Sequence, residues 1–200
     1  MDARFNDNYR RSWEKLINPD VLRSNLVLAS LYITAYETLK NSIVDRIRDF
    51  FTFNYDENGQ GIPDVRYNEV TRLNRNLFIA SCLWLQQNGV IDPGDMEDIM
   101  AVREHRNEIA HRLLEILADI DREVSLSYLE KIRHLLQKIE IWWIKEFEIP
   151  INPDFDGVEV NEEGIHSGRM ILIDLILSTA LEGQNTPSQS RTTNEIEPSN

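Results

Sequence analysis

The chain has 200 residues, 42% of them hydrophobic, which suits one globular domain around a single core. No apolar run approaches the roughly 18–20 residues that cross a bilayer. The first residues also lack the apolar stretch of a secretory signal, so a cytoplasmic protein with no membrane partner is expected. The formal charge of −13 opposes nonspecific nucleic-acid binding: an RNA ligand would need a local basic cleft, and the acidic surface otherwise suits a basic protein partner.

Taken in chain order, the sequence reads as helices separated by clear punctuation. A short amphipathic segment at 5–17 leads to Asn18-Pro19-Asp20, with Asn18 as N-cap and Pro19 at the first helical position. Leu22, Leu26, Ala29, Ile33, Tyr36, Ile43 and Ile47 then recur at helical spacing and predict a long helix to about residue 50. Residues 54–63, with two Gly and a Pro, predict a loop. A second main helix is expected over 67–87, ending at Asn88-Gly89 as a C-cap would. Cys82 lies in it, the single cysteine of the chain. It can form no internal disulfide and no thiolate zinc site, and its apolar neighbours Ala80, Leu83 and Leu85 predict a core position.

Asp92-Pro93-Gly94-Asp95 restarts the chain, Asp92 as N-cap with Asp95 in the first turn, and a third helix should run to about residue 120. The run Ser127-Tyr128-Leu129-Glu130 has the pattern of a capping box and predicts a fourth helix to about residue 148, in which at least one of Trp142 and Trp143 is buried. Pro150 and Pro153 end that run. Residues 152–168 read as polar loop, with a short extended piece at 158–160. An apolar helix over 170–181 is expected to dock on the bundle or on a partner. From 183 onward the Ser, Thr, Asn, Gln, Pro and Glu content predicts disorder. The expected fold is all-α, an up-and-down bundle of four main helices. Its organisation is 1–150 as the bundle, 151–182 as loop plus docked helix, and 183–200 as tail.

The third helix carries Arg106-Asn107-Glu108-Ile109-Ala110-His111. A guanidinium can grip two phosphate oxygens and an imidazole can move a proton near neutral pH, a pairing that serves RNA cleavage without a metal. This stretch resembles the signature of the HEPN superfamily, an all-helical group defined by Arg, four to six residues, then His, often with Asn after the Arg. Many of its members are metal-independent RNases of toxin–antitoxin, phage-exclusion and CRISPR-associated systems. The resemblance implies Arg106, Asn107 and His111 as catalytic residues and a homodimer in which two motif helices face each other. RNA would be the substrate, and an antitoxin or defence-system protein a partner. Arg103 and Arg112 lie close enough to extend phosphate binding, and no metal or other cofactor is called for. One departure stands out. Where HEPN toxins paired with a nucleotidyltransferase antitoxin often carry a Tyr two positions after the His, this chain has Leu113.

Other readings of the same residues remain open. Arg106 can serve an ion pair with Glu97, Asp98 or another acidic neighbour, and His111 can be an ordinary solvated histidine. Glu104 and Glu108 suit i,i+4 pairing with Arg. His105, turned away from His111, is expected at the surface, and His134 at the edge of the core. Glu108-x-x-His111 and Glu163-x-x-His166, with Glu37 and either Glu130 or Glu140, also have the spacing of a di-metal carboxylate bundle. The third alternative is a non-catalytic, acidic, dimeric module that binds a protein partner.

Overall fold

The computed structural model describes residues 3–185 except 120, 123, 159, 162 and 163, with side chains from Asp7 to Glu182. Seven α-helices follow in order: α1 (Ala3–Ile17), α2 (Pro19–Phe50), α3 (Asn68–Thr71), α4 (Leu77–Gln87), α5 (Pro93–Ala118), α6 (Leu126–Trp143) and α7 (Gly168–Asn185). A two-stranded antiparallel hairpin, β1 (Thr52–Tyr55) and β2 (Gly61–Pro63), lies between α2 and α3. The fold is all-α apart from this hairpin.

The spine of the molecule is α2, about 48 Å long at 1.5 Å per residue. Asn18 caps it as expected: its side chain accepts from the backbone N–H groups of Asp20 and Val21, and Pro19 opens the first turn. Tyr32, Ala35, Leu39, Ile43 and Ile47 are fully buried at helical spacing, and α1, α4, α5, α6 and α7 all pack against α2. The expected caps of α5 are also in place. The Asp92 side chain accepts from the Asp95 backbone N–H at 3.0 Å, and Asp95 returns the contact to the Asp92 N–H at 2.8 Å. Gly89, at φ +71°, closes α4 in the left-handed conformation that glycine adopts freely.

Four expectations need correction. The loop at 54–63 holds the hairpin. Asp56 accepts from the backbone N–H groups of Asn58 and Gln60 and so folds the turn between two strands too short to stand out by alternation. The helix expected over 67–87 is broken. Asn74 accepts from the N–H of Asn76, and Asn76 accepts from Phe78 and Ile79, so local side-chain bonds end one helix and start the next. The capping box at Ser127 is not formed, because α6 begins at Leu126 with Ser125 at the cap position and no side-chain cap bond. The extended piece expected at 158–160 has no strand at 158 or 160, and residue 159 lies outside the described residues.

At the other end of the bundle α6 widens into a π-helical turn over Ile144–Glu148. Trp143 is buried there, in an aromatic group with Phe50, Trp84, Trp142 and Phe147. His134 is exposed on α6 instead of edging the core. Cys82 is fully buried, and burial pushes its thiol up to about 12. In α7, Ile173, Ile176 and Ala180 join the same core as α2 and α6, so this helix completes the bundle. It reaches Asn185, and residues 186–200 of the expected tail lie outside the described residues. No helix among the described residues is long and apolar enough to cross a membrane.

Candidate functional site

The motif occupies the C-terminal half of α5, on the stretch that crosses the middle of α2. Val102, His105 and Ile109 supply the buried stripe of this helix. Arg103 and Arg106, one turn apart, flank that stripe and lie over aromatic rings. The Arg103 guanidinium is 5.4 Å from the Phe78 ring centroid and that of Arg106 is 5.6 Å from Tyr36, while those two rings are themselves 6.5 Å apart. Two cations thus share an aromatic floor built by α2 and α4, within a chain that is strongly acidic overall.

Arg106 is already engaged. Its Nη2 donates to Oε1 of Glu37 on α2 at 2.7 Å, and its Nη1 makes a long contact, 3.4 Å, to Oδ1 of Asn107. Its Nε is buried and has no hydrogen-bond partner among the described residues. The other oxygen of Glu37 accepts from Lys40 Nζ at 3.1 Å. Burial alone would raise the Glu37 pKa, but hydrogen bonds and charge from Lys40 and Arg106 outweigh it and hold the carboxyl below its usual range. The sequence leaves open an ion pair for Arg106, and the structure forms one. Its partner is neither Glu97 nor Asp98 but a carboxylate 69 positions away.

His111 is exposed, and its side chain makes no hydrogen bond to another described residue. It lies five residues beyond Arg106, about 7.5 Å along the axis. The helix loses its regular geometry at the next residue: Arg112 has φ −128° and ψ 25°. Arg112 is turned to Glu115, with Nε 2.8 Å from Oε2. The structure therefore sets Arg103 and Arg106 over one aromatic floor with Asn107 in contact with Arg106, places exposed His111 one turn beyond exposed Asn107, and turns Arg112 away to Glu115.

His105 is the histidine that the fold uses, and its expected surface position is wrong. It is buried, edge-on to Tyr32 at 4.9 Å and tilted against Tyr128 at 4.7 Å. Its Nε2 accepts from the backbone N–H of Ser125 at 3.3 Å, which supplies the start of α6 with a cap from another helix. Its Nδ1 lies 3.7 Å from Glu108 Oε2. Burial lowers its pKa more than Glu108 raises it. The periodicity of α5 places residue 105 between Val102 and Ile109 on one face, which is the signal that identifies it.

Among the described residues no group of three His, Cys, Asp or Glu side chains gathers as a metal site requires. Of the donors in the di-metal alternative, Glu37 is committed to Arg106 and Lys40. Glu140 is held by Ser42, Arg46 and Arg169, and Glu163 lies outside the described residues. A second cleft, about 550 Å³, opens beside that Glu140 group, lined also by Glu148, His166 and Ser167. Lys40 and Phe78 carry no motif, and Tyr36 is marked in the sequence only as part of the apolar face of α2. Only the i,i+3 spacing of Glu37 and Lys40 on a largely apolar helix hinted at a polar spot there.

No known family model, curated protein or solved structure matches this chain.

Proposed function

We propose that the chain is a HEPN-type, metal-independent endoribonuclease, working in the cytoplasm as part of a toxin–antitoxin or antiviral defence system. The observation that carries this reading is the pair of guanidiniums, Arg103 and Arg106, set over Tyr36 and Phe78 on the helix that bears His111. They set two positive charges side by side over a buried aromatic floor, a local cationic spot of the sort that an RNA ligand needs on a chain of net charge −13.

In this reading the RNA supplies its own nucleophile. A base takes the proton of the 2′-hydroxyl, the 2′-oxygen bonds to phosphorus, the bond to the 5′-oxygen breaks, and an acid protonates that leaving oxygen. Arg106 carries the negative charge that builds on the phosphorane oxygens, with Asn107 beside it. Arg103 and Arg112 hold neighbouring phosphates. His111 takes one of the two proton-transfer roles. One copy of the chain offers one such histidine, so a two-fold dimer that faces two motif helices supplies both acid and base.

A second reading, the non-catalytic interaction module, is favoured by the Arg106–Glu37 pair, since a carboxylate already balances the charge of Arg106. Incubation of a mixed RNA pool in EDTA with the wild type and with His111→Ala separates the two. The ribonuclease reading expects cleavage to 2′,3′-cyclic phosphate ends by the wild type alone, while the variant keeps the same fold and dimeric state. No cleavage across several RNA classes, or equal cleavage by both proteins, overturns it.

A further inference from the structure

The donor inventory of Arg106 does not close. Of its donors, Nη2 goes to Glu37, Nη1 makes only the 3.4 Å contact to Asn107, and Nε is buried without a partner. A guanidinium grips a phosphate through two adjacent N–H groups, side-on through Nε and Nη2 or end-on through both Nη nitrogens. Either fork includes Nη2, the nitrogen that Glu37 occupies. The carboxylate and a phosphodiester therefore compete for one place.

We infer that Glu37 is an internal stand-in for the phosphate, a carboxylate on α2 that occupies the anion-gripping edge of Arg106 and is displaced onto Lys40 when a phosphate diester binds. The inference deepens the ribonuclease reading and rests on it for the identity of the ligand, while the competition itself needs only an oxyanion. Lys40 makes the exchange feasible. Its Nζ already sits 3.1 Å from the second oxygen of Glu37, so rotation about the side chain releases Arg106 without leaving the carboxylate unpaired. Both partners are about one-third exposed, with side-chain accessibilities of 31% for Arg106 and 34% for Glu37, so the pair is open to an incoming ligand. Arg106 keeps its place over Tyr36 throughout, which presents the guanidinium ready-made. Glu37 thus acts as a positioning and affinity-setting residue, and Lys40 as the acceptor of the displaced charge.

The test titrates the full-length protein with inorganic pyrophosphate and follows the Arg106 Nε–H resonance by NMR, assigned through its loss in Arg106→Lys. Glu37→Gln keeps shape and removes the competing charge, and it should bind pyrophosphate at least about fivefold tighter than the wild type, a change of about 1 kcal/mol. The gain should vanish in Glu37→Gln combined with Arg106→Ala. Lys40→Ala, which strips the displaced carboxylate of its second partner, should weaken binding. Unchanged or weaker binding by Glu37→Gln, or a gain that survives the loss of Arg106, overturns the inference; Glu37→Ala repeats the measurement if the glutamine variant fails to fold. Cleavage assays on the same proteins keep the two ideas apart. Tighter pyrophosphate binding without any RNA cleavage rejects the ribonuclease reading alone. His111-dependent cleavage with unchanged pyrophosphate affinity rejects the stand-in alone.

Discussion

Two glutamate–arginine pairs tie α2 to its neighbours, and they solve the same electrostatic problem in opposite ways. Glu140 on α6 is 1% exposed. It accepts from Ser42 at 2.9 Å and Arg46 at 2.7 Å, with Arg169 at 3.4 Å, while Arg46 also reaches Glu148. Burial alone would raise the Glu140 pKa, but the charge and hydrogen bond of Arg46, with the bonds from Ser42 and Ser167, hold the carboxyl below its usual range. Around Glu37 and Arg106, by contrast, both side chains are partly in water and one guanidinium nitrogen has no partner. A buried charge with full coordination is scaffold, since nothing can enter without a large loss. A half-wet pair with an open donor can be remade around a ligand at small cost.

The sharpest way to break this contrast is to remove the buried carboxylate. Glu140→Ala takes the buried carboxylate from Arg46, Ser42 and Arg169 at once and should cost about 3–5 kcal/mol, read as a lower urea midpoint and a lower Tm. The pH dependence runs the same way. Because the folded pKa of Glu140 is lowered, its contribution is complete above about pH 4.5 and is lost as the pH falls through the folded value.

Next in size is His105→Ala, which takes the acceptor from the Ser125 N–H and two ring contacts from Tyr32 and Tyr128. About 2–3 kcal/mol should be lost in urea unfolding. Here too the sign with pH is fixed by burial. With its folded pKa below the ordinary 6.5, the imidazole stabilises fully above about pH 6.5 and loses that contribution as the pH falls through the lowered value. Between pH 7.5 and 5 the wild type should therefore lose more stability than His105→Phe.

A smaller effect is expected from Lys15. This residue of α1 donates to the backbone carbonyls of Ile116 (3.1 Å), Asp119 (2.5 Å) and Arg122 (3.0 Å), where α5 ends with unpaired acceptors. Lys15→Met should cost about 1–2 kcal/mol and raise hydrogen exchange throughout α1. Smallest of all is Glu37→Gln, with less than about 1 kcal/mol of stability at stake. That near-silence in a melt, set beside the loss from Glu140→Ala, is what distinguishes a replaceable pair from a structural one.

What could be read ahead of the structure was whatever is written locally. Asn18, Asp92 with Asp95, and Asn88-Gly89 mark helix ends through bonds that span only a few residues, and the apolar spacing of α2 needs no partner to be seen. The break at Asn74 and Asn76 is local as well, but side-chain competition with a helical backbone is invisible to apolar periodicity. The hairpin was hidden by strands of four and three residues under strong turn signals. In the candidate site, Arg103 and Arg106 were visible through their spacing. Lys40 and Phe78 were not, and Glu37 and Tyr36 were read only as a metal ligand and a core position, because each joins the site only when α2, α4 and α5 pack together. His105 is a different case: the stripe Val102, His105, Ile109 marks its face within α5 itself, and only its partners at the start of α6 come from packing.

The long α2 also sets a timetable for the chain as it is made. The buried face of α2 packs against α5, α6 and α7, all made after it, and the buried face of α7 extends to Ala180. At about 5–20 residues per second, ribosomal synthesis takes roughly ten seconds to travel from the end of α2 to that point. For that interval the apolar stripe along a helix nearly 50 Å long waits for its last neighbour.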